Sequence, residues 1–335
     1  MSYLALIGRM FPWIVSIAIA GYVIRVVSIG EAWSALLHAR LEIIVPLVLS
    51  SVLCWFLIES KAYAYIFSRF NSPVSWHEAR ALRGVTYLLS PIHLGLGKAA
   101  LVLRLRSLKN VPLLEGAGTV ALYQTIDTVV LAGLTAIGLW LIPTTPETSI
   151  ARAVAVAVVL ALLLYLLLLR GDRPDFRLLD RARRLTLHHA HRKIRFRDAL
   201  VIVSAKLAYH LIAVAAFYFG ARAFGIELPF TLVLAVTPTI QAIGGLPITP
   251  GGLGTQQAAM LYFFGGHGSE AAIVAFGFSL PIAFMVIRCL LGLVYLADLT
   301  ANSGLRSPHP RLPRASEEPF TTSLLGRVGH SVGNT

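Results

Sequence analysis

The sequence of 335 residues is long enough for one large or two medium-sized soluble domains, but its composition excludes that class of protein. Hydrophobic residues make up 56% of the chain, charged residues only 13%, and the mean hydropathy is +0.73. Soluble proteins carry about 25% charged residues. We therefore predict an integral membrane protein. Its two cysteines, Cys54 and Cys289, lie in apolar runs and exclude a disulfide framework.

Six apolar windows of about 20 residues predict full transmembrane helices. They cover residues 11–29, 43–59, 118–142, 150–169, 199–221 and 271–299. The first window resembles a secretory signal peptide because it follows Arg9 and contains the triplet Ala18-Ile19-Ala20. The apolar run continues beyond that triplet to Ile29, so we expect a retained first span.

Two further apolar stretches, residues 84–103 and 230–265, are interrupted by proline and glycine. The interruptions are Pro91-Ile92-His93-Leu94-Gly95-Leu96-Gly97 and Pro247-Ile248-Thr249-Pro250-Gly251-Gly252-Leu253-Gly254. Broken backbone at membrane depth needs cover from protein or from a water-filled cavity. Each stretch is therefore predicted to form a re-entrant helical hairpin, and a cavity is implied.

The distribution of basic residues predicts that both termini are cytoplasmic. With that orientation, the inner segments carry 22 of the 29 Lys and Arg residues, and the outer loops carry only Arg40 and Arg222. The net charge of +13 is then mostly a property of cytoplasmic loops and predicts no nucleic-acid partner. The stretch from Arg170 to Arg197 is expected to be a solvated loop near anionic lipid, with headgroup or metal binding by His188, His189 and His191 as the alternative.

The order of elements predicts an inverted repeat. Residues 1–142 and 143–300 each contain two spans, a hairpin and a third span, and residues 301–335 form a tail rich in Pro, Ser, Gly and Arg that we expect to be disordered and cytoplasmic. The first repeat starts inside and the second outside. Inverted repeats with paired broken helices are typical of transporters that hold substrate near the midplane. The predicted fold is an all-α polytopic membrane protein with six full transmembrane helices and two re-entrant hairpins.

Ionisable residues deep in the membrane are candidate site residues because each costs about 2.5–3.5 kcal/mol to insert. The deep candidates are Lys98, Asp127, Lys206, His210 and Arg288. Arg25, Arg152 and Glu59 lie near span ends and are predicted to be structural. Asp127 is expected to pair with Arg288 or Lys206. One carboxylate cannot neutralise three cations, so the cavity should prefer an anion.

Other residues are predicted to line the cavity or to shape it. Gln124, Gln256 and Gln257 are candidate hydrogen-bond donors to a substrate, whereas Tyr123, Tyr209, Phe217 and Tyr218 are expected to be packing or interfacial residues. The predicted hinge residues are Pro91, Gly95, Gly97, Pro247, Gly251, Gly252 and Gly254. We predict no catalytic residue, no metal site and no cofactor.

The motif Pro247-x-x-x-Gly251-Gly252-Leu253-Gly254, with Pro91 to Lys98 and the Asp127 span, resembles the lysylphosphatidylglycerol synthase transmembrane or flippase-like family. The resemblance covers residues 10–300 and implies a lipid flippase with two re-entrant hairpins. We expect no aminoacyl-lipid synthase domain, because the segment after residue 300 is short and rich in Pro, Ser, Gly and Arg. Shorter relatives are associated with hopanoid or other isoprenoid lipids.

This sequence departs from the family pattern at several acidic positions. Gln257 and Gly97 or Leu96 stand where acids are common, and Tyr123-Gln124 replaces a Glu-Arg pair. The loss of acids argues against a cationic aminoacylated lipid as cargo and agrees with a cationic interior.

The predicted function is a flippase of the bacterial-type cytoplasmic membrane, moving a lipid with an anionic headgroup between leaflets. Its partners would be the substrate lipid, the bilayer and, as an open option, a second copy of the chain. The alternatives are an intramembrane enzyme acting on lipid phosphates and a carrier of a small anionic metabolite. The enzyme is disfavoured because Asp127 is the only deep carboxylate predicted. Direct use of ATP is disfavoured because the sequence has no Walker motif.

Overall fold

The computed structural model describes residues 29–89, 94–169, 185–245 and 254–303, without the side chains of 29, 94–95 and 296–303. These residues form α-helices joined by short loops and one 3₁₀ turn at Thr186–His188, and they contain no strand. In chain order the helices are α1 (Ile29–Leu37), α2 (Leu41–Phe70), α3 (Trp76–Leu89), α4 (Leu94–Lys109), α5 (Leu113–Trp140), α6 (Pro146–Leu169), α7 (His189–Lys193), α8 (Phe196–Ala223), α9 (Phe230–Gly245), α10 (Thr255–Phe264) and α11 (Glu270–Ser303).

Five of the described helices are long and apolar enough to cross a membrane. They are α2, α5, α6, α8 and the Glu270–Tyr295 part of α11. Each overlaps one of the predicted spans over most of its length, although α5 ends two residues before the predicted end of 118–142. The polytopic helical class is confirmed. The predicted first span, 11–29, lies outside the described residues apart from Ile29, which begins α1.

Helix α2 extends well beyond the predicted span 43–59. It has 30 residues and continues through Glu59, Ser60 and Lys61 to Phe70. The apolar window ended at these polar residues, but the residues that follow are again apolar on the buried face, including Tyr63, Ile66 and Phe67. Glu59 therefore lies inside the helix, eleven residues before its end.

Two short helices that pack together form each of the two interrupted stretches, and in the first stretch they run from 76 to 109, beyond the predicted bounds 84–103. Helices α3 and α4 flank residues 90–93, and α9 and α10 flank residues 246–253. None exceeds 16 residues, whereas a full crossing needs about 20. These lengths agree with the hypothesis of re-entrant hairpins, which remains a prediction.

The predicted hinge residues are only partly within these helices. Pro91, Pro247, Gly251 and Gly252 lie outside the described residues. Gly95 and Gly97 were predicted to lie in the break, but both lie in the first turn of α4. Gly254 precedes α10 with a φ of 88°, a conformation that disfavours any side chain.

The first arm of each interrupted stretch packs on a long helix from the other half of the chain. Helix α3 packs on α11, where a Cβ at Gly84 would lie 2.5 Å from Tyr295 Cβ and one at Gly292 would lie 2.7 Å from Leu88 Cγ. Helix α9 packs on α5, where Gly138 lies against the backbone of Ala235. Helices α11 and α5 are the third spans of the two predicted halves, so the packing is reciprocal, and the inverted repeat itself stays a prediction.

Residues 185–195, the described part of the segment between α6 and α8, include two histidines that are buried rather than solvated as predicted. His189 and His191 are buried in α7, and the His191 ring packs against Tyr165 and His188 at centroid distances of 5.6 Å. Burial, followed by the charges of His188 and His189, lowers the pKa of His191 to about 4. We conclude that His191 packs as a neutral ring near pH 7.

The contact of Gly138 with Ala235 predicts a position-specific cost for a single methyl group. Gly138→Ala should lower the stability of the protein by about 1–3 kcal/mol because the added methyl has no space. Gly133, also in α5, has no heavy atom within 4 Å of a Cβ, so Gly133→Ala is the matched control and should be neutral or slightly stabilising. Thermal unfolding in detergent would measure both. Equal melting temperatures would contradict the close packing of α5 on α9.

Candidate functional site

A chain of alternating charges is buried between three long helices. The Lys206 ammonium of α8 lies 3.2 Å from Glu59 Oε1 of α2 and 3.4 Å from Asp127 Oδ2 of α5. Glu59 is 5% exposed and Lys206 is 4% exposed. Because a lone charge at this depth costs several kcal/mol, the three side chains stabilise one another's ionised forms.

Arg83 extends this chain to α3. Its guanidinium forms an ion pair with the second carboxylate oxygen of Glu59 and donates to Thr86 Oγ1 at 3.0 Å. Its charge also lies 4.4 Å from the centroid of the Tyr87 ring. This ion pair therefore connects α3, the first arm of the first interrupted stretch, to α2.

His210 extends the chain in the other direction. It lies four residues after Lys206, on the same face of α8, and its Nε2 is 3.2 Å from Asp127 Oδ1. Its Nδ1 is 3.1 Å from Gln241 Oε1 of α9. The buried polar chain, hereafter the relay, therefore consists of Arg83, Glu59, Lys206, Asp127, His210 and Gln241.

Aromatic rings enclose the relay. The Lys206 ammonium lies 3.9 Å from the centroid of the Tyr123 ring and 5.4 Å from that of Tyr209. Tyr63 packs edge-on against Tyr123. Ring faces attract cations while excluding water, so the tyrosines predicted to be packing residues also stabilise the Lys206 charge.

The relay corrects the predicted charge balance. Glu59 was assigned to a span end with a structural role, and Arg83 to a cytoplasmic loop. Glu59 is buried, and Arg83, whose side chain is 12% exposed, pairs with it. Asp127 is therefore not the only deep carboxylate. Two carboxylates neutralise Lys206 and Arg83, and the positive surplus moves to Lys98 and Arg288.

Lys98 lies at the edge of the relay, in an open groove between α4 and α5. This first groove has a volume of about 570 Å³. Its polar lining residues are Lys98 and Gln124, and the rest of its lining is apolar. Two of the lining leucines, Leu103 and Leu114, are 58% and 59% exposed. The groove therefore opens sideways on the helix bundle.

Gln124 connects the first groove to the relay. Its Nε2 donates to Asp127 Oδ2 at 3.4 Å, and the Asp127 side chain is 21% exposed. Lys98 lies within electrostatic range of both Asp127 and Lys206. Among the described residues Lys98 forms no ion pair, so its charge is available to a ligand in the groove.

Arg288 occupies a separate position. Its guanidinium lies 4.8 Å from the centroid of the Trp55 ring and 5.6 Å from that of Tyr87. Its Nε is buried and has no hydrogen-bond partner within the described part of the chain. Asp127 contacts Lys206, so of the two predicted pairings the structure forms the one with Lys206. Arg288 is thus connected to Lys206 only indirectly among the described residues, through Tyr87, Arg83 and Glu59. Lys98 instead lies near Asp127 and Lys206.

The other predicted glutamines lie near α10. Gln257 is 1% exposed, accepts from the Gly254 N–H at 2.7 Å and donates to Gly277 O at 2.8 Å. These contacts hold the start of α10 against α11, and they engage both ends of the amide. Gln256 packs against Gly244 of α9.

A second groove lies at the opposite end of α5. Its volume is about 340 Å³, and residues of α5, α6, α9 and α10 line it, among them Leu139, Glu147, Thr239 and Tyr262. Leu139 lies 15 residues beyond Gln124, which corresponds to about 22 Å along the helix axis. Asp127 lies between the two grooves. Within the described residues no three His, Cys, Asp or Glu side chains group as metal ligands.

The sequence analysis missed Arg83 and Gln241. Arg83 follows a polar turn and was counted with the basic loop, because a linear sequence cannot show that α3 folds back against Glu59. Gln241 did give a signal, since it is the only amide in the apolar helix α9. A polar side chain in such a helix needs a buried partner, and His210 supplies it.

We predict that removing the charge of Glu59 destabilises the protein. Glu59→Gln leaves Arg83 and Lys206 with Asp127 as their remaining carboxylate, and breaking a buried pair costs about 3–5 kcal/mol. The matched control is Glu78→Gln, because Glu78 pairs with Lys109 at a half-exposed site and should cost less than about 1 kcal/mol. Thermal unfolding in detergent would compare them. Equal stability losses would show that the Glu59 pair is not buried from solvent.

Comparison with known proteins agrees with this architecture. No curated protein matches the chain. The model of the family described as Lysylphosphatidylglycerol synthase TM region matches residues 13–297, which include both grooves and the whole relay. The protein therefore belongs to the Lysylphosphatidylglycerol synthase TM region family.

Proposed function

We propose that this protein moves a lipid with an anionic headgroup between the two leaflets of a membrane. The observation that carries the proposal is the pair of open grooves at opposite ends of α5, with the relay between them. A lateral groove lets the acyl chains stay in the bilayer while the headgroup crosses a polar interior. A small-metabolite carrier would instead need an enclosed site.

The charge of the first groove supports an anionic headgroup. Lys98 is the only charged residue that lines this groove, and it has no carboxylate partner among the described residues. Lys98 lies 11 residues before Lys109, which corresponds to about 16 Å along α4. It is therefore separate from Arg106 and Lys109, the basic residues in the last turn of that helix. A phosphate bound to Lys98 would replace the missing counter-charge.

Arg288 supports a second contact for the anion farther along the path. Its partners are the rings of Trp55 and Tyr87, which stabilise a cation without neutralising it. The buried Tyr87 hydroxyl also has no hydrogen-bond partner among the described atoms. A guanidinium beside a free hydroxyl favours a phosphate oxygen.

The lipid-phosphate enzyme is the weaker alternative. Two deep carboxylates are present, so the expectation of a single carboxylate no longer argues against it. However, Glu59 lies between Arg83 and Lys206, and Asp127 lies between Lys206 and His210. Neither carboxylate is free to activate a water molecule. Release of inorganic phosphate from a lipid phosphate by the purified protein would reverse this preference.

The transport proposal predicts that Lys98→Gln slows lipid movement by tenfold or more. The matched control is Lys109→Gln, in the last turn of the same helix, which should transport normally. Fluorescent phosphatidylglycerol in proteoliposomes, quenched by dithionite from outside, measures the rate, and fluorescent phosphatidylcholine tests headgroup charge. Arg288→Gln should also be impaired. Normal phosphatidylglycerol movement by both cation variants would refute the anionic path.

We also propose that residues beyond Leu299 and around Arg184 are cytoplasmic and that Thr144 is external, in a bacterial-type inner membrane. The support is the excess of Lys and Arg in the inner segments. Single cysteines at 144, 184 and 305 can be introduced after Cys54→Ala and Cys289→Ala. In intact cells an impermeant maleimide should label only position 144. Labelling at position 184 would reverse the orientation.

A further inference from the structure

Both ring nitrogens of His210 face oxygen atoms. Nε2 is 3.2 Å from Asp127 Oδ1, and Nδ1 is 3.1 Å from Gln241 Oε1. The residue is 4% exposed, so water cannot easily replace either partner. A neutral imidazole has one N–H, whereas an imidazolium has two. In this arrangement both contacts are hydrogen bonds only when the ring carries a proton on each nitrogen.

Gln241 provides the alternative arrangement for a neutral ring. Its Nε2 is buried and has no hydrogen-bond partner among the described atoms. If the amide turns by 180°, this Nε2 donates to an unprotonated Nδ1 while Nε2–H of the ring keeps donating to Asp127. The charge of His210 and the orientation of Gln241 are therefore linked. Gln241 lies four residues before the end of α9, the arm that leads into the second interruption.

The same imidazole is linked to the first groove. Asp127 accepts from His210 on one oxygen and from Gln124 on the other, and Gln124 lines the groove beside Lys98. His210 thus lies between the groove and the second interrupted stretch. An event in the groove that changes the charge near Asp127 alters the balance between the two states of the ring.

The charges around His210 link a proton on its ring to an anion in the first groove. The charged groups around His210 are Asp127 of α5, Lys206 of α8, Glu59 of α2, Arg83 of α3, Lys98 of α4 and, through Trp55, Arg288 of α11. The tyrosines beside them are Tyr123 of α5 and Tyr209 of α8. With a neutral His210, this set already has four cations and two carboxylates. A bound anion therefore adds a negative charge to a set with a positive surplus, and it stabilises a proton on the ring.

We infer that His210 binds one proton together with the anionic headgroup, so that the protein is a proton–lipid symporter. This inference rests on the proposed function and adds that protons are the ions that drive the lipid movement. On one side of the membrane a proton from water joins the His210 imidazole as the headgroup enters. On the other side the imidazolium returns that proton to water as the headgroup leaves. Histidine suits this role because its charge ordinarily changes between pH 5 and 8.

The inference predicts a specific response to imposed gradients. A phosphatidylglycerol headgroup carries one negative charge, so one lipid and one proton cross together with no net charge. In proteoliposomes a pH gradient should redistribute fluorescent phosphatidylglycerol by about tenfold per pH unit. A membrane potential set with potassium and valinomycin should have no effect. Lipid that follows the potential and ignores the pH gradient would overturn the inference.

The test variant is His210→Gln, which keeps hydrogen-bonding groups at the site but cannot take the proton. Its lipid movement should lose the response to the pH gradient and should slow by tenfold or more. His38→Gln is the control, because His38 is an exposed histidine at the end of α1. A His210→Gln protein that still concentrates lipid along a pH gradient would also overturn the inference.

A second measurement separates the proton site from transport itself. Short-chain phosphatidylglycerol added to the detergent-solubilised protein at pH 7 in weak buffer should cause uptake of up to one proton per protein molecule. The His210→Gln protein should take up none. If the wild-type protein moves no lipid under any gradient, the proposed function fails. The proton uptake on lipid binding still shows whether His210 is the residue that takes the proton. Equal uptake by both proteins would reject His210 as that site.

Discussion

The position of Lys206 between Glu59 and Asp127 is the contact on which the rest of the interior depends. An ammonium that is 4% exposed cannot remain charged without counter-charges at hydrogen-bond distance. Its two carboxylates come from different helices, and they bring Arg83 and His210 with them. A single requirement for neutrality therefore holds α2, α3, α5 and α8 together, in a protein whose outer surfaces face lipid and gain little from further apolar burial between helices.

Close backbone packing supplies the second constraint. The arms of the interrupted stretches reach the long helices at glycines, with Gly84 and Gly292 between α3 and α11 and Gly138 between α5 and α9. Small residues allow helices in a membrane to approach closely enough for dispersion forces to act. Because α3 carries Arg83 and α9 carries Gln241, these same contacts bring both ends of the relay into place. Packing and charge therefore restrict the arms together.

Neutralising the relay has a functional consequence. The buried carboxylates satisfy Lys206 and Arg83, so in the proposed transport path the cations left for a headgroup are Lys98 in the first groove and Arg288 on its aromatic rings. Asp127 has both roles, since it neutralises Lys206 and also contacts Gln124 in the groove wall. A ligand charge at the groove can thus affect His210 through one carboxylate. This coupling is local and needs no large rearrangement of the five long helices.

The sequence by itself determined the membrane class, the five described spans to within a few residues at most ends, the two interrupted stretches and the family. It also singled out Lys98, Asp127, Lys206, His210 and Arg288, whose part in a functional site stays a prediction. Hydropathy and helical spacing are local properties, and they placed Lys206 and His210 on one face. Only the tertiary structure decided the partners. Glu59 and Arg83 carry polar signals that a linear sequence assigns to a span end and a loop, because the return of α3 against α2 is a long-range contact. The same holds for Gln241 and His210, 31 residues apart: the sequence shows that each needs a buried partner, and only the packing of α9 beside α5 and α8 shows which one it is.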